Sequence, residues 1–345
     1  MKTKYSLWLI LLAALLCALL GCTQEGTVST TVSVPATCQT VPSEPPTTVS
    51  ETVPVAPTVD TDAMEQEAEA LQQSQAALPA LPSVEAPGTL VKSGGDAVID
   101  FSHTDLGYVM VRYEKAVQQR LKVQVKGPKT TYTYNLTPQQ WTAFPLSDEN
   151  GNYQIVIYQN VTGSKYAAVL SLDIQVVLED EFAPFLHANQ YIDYDAAPKT
   201  VAKAAELTAG LAEPLDKVAA VYDYVITTIR YDKELAATVK SGYLPQLDVV
   251  LEKGKGICFD YAALMTGMLR SQGIPTKLVV GYAGQAYHAW INVWTEESGW
   301  VDGVIFFDGT TWQRMDPTFA SSAGASEEIM DYIGDGQNYT AKYFY

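Results

Sequence analysis

Three residues in the C-terminal half of this sequence, Cys258, His288 and Asp316, are of types that cooperate in nucleophilic catalysis. A thiol becomes an effective nucleophile when its pKa is lowered, and a helix N-terminus and a nearby imidazolium both have this effect. Cys258 follows the loop "GKG", which lets the backbone approach closely and brings Lys255 near the thiol. His288 could then act as the base, and Asp316 could hold the orientation and tautomer of the imidazole.

The sequence around these residues predicts the elements that would position them. Cys258 opens a predicted helix that ends in the segment "SQGIP". The apolar stripe of this helix consists of Ile257, Tyr261, Leu264, Met265, Met268 and Leu269. His288 starts a predicted strand, "HAWINVW", and lies on the same side of it as Trp290. Asp316 is predicted at the end of a later strand, "TWQRMDPT", where Pro317 ends the ladder.

The wider pattern predicts an α+β fold for this part of the chain. Pro198 and Pro214 are placed to open two helices ahead of the cysteine. Strand patterns follow the cysteine helix: "TKLVVGYA", "HAWINVWTE", "GWVDGVIFF" and "TWQRMDPT". Helices followed by antiparallel strands are typical of the α+β class. Four tryptophans could wall a cleft beside the thiol, although roles as core or strand-pair aromatics are favoured: Trp290, Trp294, Trp300 and Trp312.

A second domain, built from strands, is predicted ahead of the helices. Residues 87–180 contain short alternating runs divided by the turn signals "SGGD", "KGPK", "DENGN" and "VTGSK". Seven strands at this spacing predict a small β-sandwich, immunoglobulin-like in size. The Cys/Trp/Cys signature of true immunoglobulin domains is absent from the sequence, so the prediction concerns the architecture alone.

The N-terminus has the features of an exported lipoprotein. Lys2 and Lys4 precede the apolar run "LWLILLAALLCALLG", which is short for a membrane span and typical of a signal peptide over residues 1–21. The run ends in "LLGC", which resembles the bacterial lipobox and marks Cys22 for lipidation. We therefore expect a chain anchored to the outer face of a cell membrane by its N-terminal lipid alone. Residues 22–86 are Thr- and Pro-rich and are predicted to be a disordered linker with one possible short helix.

This export signal narrows the possible roles of Cys258. Cys17 would be removed with the signal peptide and Cys22 would carry lipid, so Cys38 in the linker is the only remaining partner for a disulfide. No second cysteine or nearby histidine completes a zinc-binding spacing, so we expect neither a metal nor a cofactor. The formal net charge of −17 disfavours a nucleic-acid partner. From residue types alone, a buried structural cysteine and a nucleophile both remain open.

The motifs themselves resemble those of a known superfamily. The segments "GKGICFDYAALMTGMLRSQGIPTKLVVGY", "HAWINVW", "GW" and "MDPT" follow one another in the order found in the transglutaminase-like superfamily. The resemblance implies a papain-like fold over residues 181–345, in which a helix that begins with the Cys packs on an antiparallel sheet. It also implies that Cys258 is the nucleophile, His288 the base and Asp316 the orienting acid. The segment "IRYD" is similar to one that precedes the Cys loop in these domains, so Tyr231 could line the site or help to bind an oxyanion.

The implied activity is acyl transfer from protein or peptide amides through a thioester, ending in transamidation or in hydrolysis. Such an enzyme would act as a monomer on a protein or peptide substrate, which could be associated with the cell wall. The alternative is a non-catalytic lipoprotein that keeps the fold and binds peptide or cell wall. An intact set of Cys258, His288 and Asp316 favours the enzyme, because a module that only binds has no physical need of all three.

Overall fold

The computed structural model describes residues 83–296, 299–301, 305–307, 312–314 and 339–345. All of these belong to one compact unit of the chain. The predicted signal peptide, the lipidation site at Cys22 and the predicted linker up to residue 82 lie outside the described residues, and so does Asp316. No helix among the described residues is long and apolar enough to cross a membrane.

The first half of the described chain consists of eight antiparallel strands. They are β1 (Val91–Gly94), β2 (Ala97–Asp100), β3 (Tyr108–Tyr113), β4 (Leu121–Lys126), β5 (Thr131–Leu136), β6 (Thr142–Pro145), β7 (Gly151–Thr162) and β8 (Lys165–Val176). One sheet has the order β1-β2-β3-β6 and the other β5-β4-β7-β8. The ring of Tyr134 on β5 lies 4.9 Å from the ring of Phe144 on β6, so the two sheets face one another. This confirms the predicted sandwich.

The prediction missed one strand of this sandwich. β1 has three exposed residues and one half-buried residue, so its sequence lacks the alternation that identified the other seven. By contrast, β5 alternates exposed and buried positions along its whole length, with Tyr132 and Tyr134 turned inward. Period-two alternation appears in a sequence only where one face of the strand is buried.

Helices dominate the next part of the chain. A 3₁₀ turn (Ala183–Phe185) leads to α1 (Pro198–Thr208), α2 (Pro214–Thr228), α3 (Lys233–Thr238), α4 (Leu247–Lys253) and α5 (Cys258–Arg270). The prolines predicted to open α1 and α2 do so, because a first-turn residue needs no N–H for an intrahelical bond. The short helices α3 and α4 were not predicted. Between the helices, β9 (Arg230–Tyr231) pairs in parallel with β10 (Lys255–Gly256).

An antiparallel sheet completes the fold, with the order β13-β12-β11-β16. Its strands are β11 (Thr276–Ala283), β12 (Ala286–Thr295), β13 (Gly299–Val301) and β16 (Tyr339–Phe344). Two further strands, β14 (Ile305–Phe307) and β15 (Trp312–Arg314), pair only with one another. The predicted strand "GWVDGVIFF" is therefore divided between two sheets. The edge strand β16, which the prediction missed, pairs with β11.

The helix α5 is the centre of this half of the molecule. Every residue from Asp260 to Arg270 is buried, as expected for a helix that is covered on all sides. It packs against α1, α2 and α4 and against the sheet strands β11 and β12. Helices and an antiparallel sheet thus share one core, which confirms the predicted α+β fold with a Cys-led helix on the sheet.

Candidate active site

Cys258 is the first residue of α5, and its thiol is free and half-buried. The helix N-terminus is held by Asp260, whose carboxylate accepts a 2.8 Å hydrogen bond from the Ile257 N–H. The hydroxyl of Tyr243 donates to the other oxygen of the same carboxylate, also at 2.8 Å. Because the first N–H groups of a helix lack intrahelical acceptors, a negative group near Cys258 is stabilised there.

The loop "GKG" brings the chain into this position through its two glycines. Gly254 ends α4 in the left-handed region, with φ of 58°, and donates its N–H to the Val250 carbonyl at 3.0 Å. A Cβ on Gly256 would lie 2.6 Å from the Cβ of Asp260, so a side chain there would displace the capping carboxylate. The lysine between them is exposed, and its Nζ lies 2.9 Å from Asp232.

Two tyrosines lie close to the thiol. Tyr231 on β9 is the register partner of Gly256, two residues before Cys258. Its pKa is raised by burial and then by the neighbouring charge of Cys258. Tyr287 on β12 is 61% exposed, and its pKa is raised by burial, with smaller contributions from other tyrosines and from Cys258. The half-buried thiol therefore has a phenol from each of two different elements within electrostatic range.

His288 follows Tyr287 on β12 and is buried, with 6% of its surface exposed. Its ring centroid lies 6.3 Å from those of Trp290 and Tyr339. The intervening residues of β12, Ala289, Ile291 and Val293, belong to the hydrophobic core. Because α5 packs against β12, the structure places the helix that begins with Cys258 and the strand that carries His288 in direct contact.

The third predicted residue of the site is not described. β15 ends at Arg314, so Asp316 lies two residues beyond the last described position of that strand. The assignment of Asp316 as the orienting acid stays a prediction.

The tryptophans of the sheet have packing roles. Trp290 is buried, and its ring lies 5.2 Å from that of Tyr339. Trp294 lies 4.2 Å from the ring of Phe182, and Trp300 lies beneath the Lys277 ammonium at 3.5 Å. These contacts agree with the predicted core and strand-pair roles. The side chain of Trp312 is outside the described residues.

Sequence reasoning missed the cap of the cysteine helix, formed by Asp260 and Tyr243. A signal was available, because an acidic residue three positions after a helix N-cap is typical of a capping arrangement. Tyr243 carried no such signal, since it lies in the connection between α3 and α4 and reaches Asp260 only through the fold. Tyr287 was also missed, although it directly precedes His288.

We expect the buried cap to give a distinctive dependence of stability on pH. Burial raises the pKa of Asp260, while the bonds from Ile257 and Tyr243 lower it by less. Between the ordinary carboxyl pKa of 3.8 and the raised value, the folded chain holds a proton that the unfolded chain has lost. The contribution of Asp260 to the free energy of unfolding should therefore fall as pH rises through this window. Urea unfolding of the wild type and of Asp260→Asn across that range measures the difference.

Asp232 provides a control of opposite sign. The Leu235 N–H and Lys255 lower the pKa of Asp232, so its contribution is present above the ordinary pKa and is lost as pH falls. The difference in the free energy of unfolding between the wild type and Asp232→Asn should therefore increase as pH rises. The buried cap would be contradicted if the difference in the free energy of unfolding between the wild type and Asp260→Asn stayed constant with pH or increased with it.

Comparisons with known proteins find one family model that matches about a third of the chain. Residues 201–317 match the model of the transglutaminase-like superfamily. A stretch of 199 residues is 26% identical to the uncharacterized protein YebA of Bacillus subtilis, covering 50% of this chain and 26% of that protein. Another of 131 residues is 31% identical to the protein-glutamine gamma-glutamyltransferase of Pseudomonas aeruginosa, covering 33% of this chain and 19% of the relative. This chain thus spans only a minor part of either relative.

Solved structures give more distant likenesses. A protein from Cytophaga hutchinsonii, provisionally assigned as a cysteine protease, has 15% identity and a TM-score of 0.35, with 69% of this chain and 83% of that one covered. Red sea bream transglutaminase has 12% identity and a TM-score of 0.27, with 66% and 53% covered. The family match over residues 201–317 confirms the resemblance read from the motifs: the chain contains a transglutaminase-like domain.

Proposed function

We propose that this protein is a cell-surface cysteine acyl-transfer enzyme that acts on protein or peptide amides through a thioester. The observation that carries the proposal is the position of Cys258, a free thiol at the N-terminus of a buried helix within the transglutaminase-like domain. The name of the Pseudomonas aeruginosa relative, a protein-glutamine gamma-glutamyltransferase, supports the same class of reaction.

In the proposed reaction, Cys258 Sγ attacks the carbonyl carbon of an amide while its proton passes to His288. The carbonyl oxygen becomes an oxyanion, for which the Cys258 N–H is a donor and Tyr231 a candidate neighbour. When the C–N bond breaks, His288 returns the proton to the leaving amine and a thioester remains on the sulfur. Asp316 is assigned to hold the His288 ring in the tautomer that both proton transfers require.

The second half of the reaction regenerates the thiol. An acceptor amine or a water molecule gives a proton to His288 and attacks the thioester carbon. The C–S bond then breaks, and the sulfur recovers the proton. An amine acceptor yields a cross-link, whereas water yields hydrolysis. Attachment by lipid at Cys22 would place a monomeric enzyme on the outer face of a membrane, within reach of envelope proteins or of peptides associated with the cell wall.

Selective alkylation tests the nucleophile directly. At neutral pH we expect iodoacetamide to modify Cys258 at least about 10-fold faster than Cys38, because an unactivated thiol is only a few per cent thiolate at pH 7. Cys38 serves as the internal reference, and mass spectrometry of the digested chain reports both rates in one sample. His288→Ala should slow the alkylation of Cys258 and bring its rate closer to that of Cys38, whereas the control His103→Ala, on the sandwich, should not change it.

Equal rates at the two cysteines, unchanged by His288→Ala, would refute the catalytic proposal. That result would favour the alternative, a lipoprotein that keeps the transglutaminase-like fold and only binds peptide or cell wall.

A further inference from the structure

A basic surface pocket lies beside the candidate nucleophile. Its lining includes Arg230, Lys233, Lys253 and Lys255, together with Tyr231 and Asp232. The chain carries 22 lysines and arginines against 39 acidic residues. Four cations around one depression are therefore a local reversal of the overall charge. We refer to these six residues as the basic pocket.

The positive charge of the basic pocket is only partly compensated. Asp232 is its one acidic lining residue, and this carboxylate pairs with Lys255 and caps α3 through the Leu235 N–H at 2.9 Å. Of the four cations, only Lys255 takes part in an ion pair with another described residue. Of two nearby acids, Glu234 adds a weaker negative charge near Lys255, and Glu252 pairs with Lys199 outside the pocket.

The basic pocket adjoins the thiol through two of its own residues. Tyr231 lines the pocket and is the strand-register partner of Gly256, two residues before Cys258. Lys253 lines the pocket and lowers the pKa of Asp260, the residue that caps the cysteine helix. A peptide whose amide reaches Cys258 could therefore extend past Tyr231 into the basic pocket.

We infer that the basic pocket is a subsite for carboxylate groups of the substrate, so that the preferred substrate is an acidic peptide. The claim that this peptide is a substrate rests on the proposed reaction at Cys258, whereas the claim that the pocket binds it does not. A guanidinium such as that of Arg230 can bind a carboxylate through two parallel hydrogen bonds, and lysines add charge. Electrostatic effects at exposed sites fade over about 8 Å at physiological salt, so these cations would act mainly on a peptide docked in the pocket. The acidic remainder of the surface would repel acidic peptides that approach it elsewhere.

Binding can be measured without turnover in the full-length Cys258→Ala chain, held in a non-ionic detergent. The probes are two fluorescent peptides of the same length and hydrophobicity, one with Asp and Glu and the other with Asn and Gln at those positions. We expect the acidic peptide to bind at least about 10-fold more tightly, with anisotropy reporting the Kd. Raising the salt concentration should weaken the acidic complex and leave the neutral one nearly unchanged.

A charge-reversal pair locates the binding. Arg230→Glu combined with Lys253→Glu should remove the preference for the acidic peptide. The matched control combines Arg120→Glu with Lys165→Glu, which makes the same change in net charge on two exposed residues of the sandwich. It should alter the Kd of the acidic peptide by less than about 2-fold. Should the charge reversals unfold the chain, Arg230→Gln combined with Lys253→Gln tests the same contacts, and thermal unfolding shows which variants are intact.

Equal binding of the two peptides would overturn the inference. An equal loss of affinity for the acidic peptide in the pocket variant and in the sandwich control would also overturn it. Displacement of the acidic peptide by millimolar inorganic phosphate would overturn the peptide assignment in favour of a general anion site. Failure of the alkylation test would leave this binding result intact, because the peptide assay uses a chain without the thiol. The two proposals can therefore fail separately.

Discussion

Replacing Cys258 with alanine is expected to lower the acyl-transfer rate by at least about 1,000-fold, because the proposed thioester cannot form without the sulfur. The assay incubates the full-length chain with casein-like glutamine donors and a fluorescent amine, and it follows both amine incorporation and ammonia release. Incorporation together with ammonia release indicates transamidation, whereas ammonia release alone indicates deamidation.

The double variant tests whether Cys258 and His288 act as a unit. Residues that carry out one step together are strongly non-additive, so Cys258→Ala combined with His288→Ala should lose little more activity than Cys258→Ala alone. Cys38→Ala is the matched cysteine control and should retain full activity. Substantial activity in Cys258→Ala would exclude the thioester mechanism. Additive losses would assign His288 a role independent of the nucleophile.

The largest loss of stability is expected at Arg270, the last residue of α5. Arg270 is fully buried, and burial lowers its pKa to about 9, so it remains charged at neutral pH. Its guanidinium donates to three carbonyl oxygens from different parts of the fold: His187 at 2.6 Å, Thr276 at 2.9 Å and Tyr345 at 2.6 Å. One side chain thus connects the cysteine helix to the segment that follows the sandwich, to the start of β11 and to the residue that follows β16.

Arg270→Met is expected to lower the free energy of unfolding by about 3–5 kcal/mol, since each of three carbonyls loses the hydrogen bond from the buried guanidinium while the side chain keeps a similar length. Urea or thermal unfolding of the full-length chain gives the value. Arg270→Lys should recover only part of the loss, because an ammonium cannot reproduce the planar fork. The control is Lys92→Met, at an exposed position of β1, and it should change stability by less than about 0.5 kcal/mol. A loss below about 1 kcal/mol for Arg270→Met would show that the three bonds add little net stability.

The predictions succeeded where local pattern and burial coincide. The strands "YVMVRY", "TYTYNL" and "TKLVVGYA" have the observed bounds of β3, β5 and β11, and α1 and α2 begin at the predicted prolines. The elements that the predictions missed are β1, β9, α3, α4, β10 and β16. β16 shows why, since all six of its residues are exposed or half-buried and its ladder depends on β11, more than fifty residues away. No local periodicity reports a partner at such a distance.

The sequence alone determined the position of Cys258 at a helix start and the strand that carries His288. It also supplied the order of the family motifs and the predicted roles of Asp316 and Cys22. Each of these depends on residue type and on spacing within a short segment. Only the tertiary structure decided what surrounds the thiol. Tyr231, Tyr243 and Tyr287 come from three different segments, and the cations of the basic pocket come from β9, α3, α4 and β10. These groups meet through contacts between separate elements, and such contacts leave no periodic trace in a sequence.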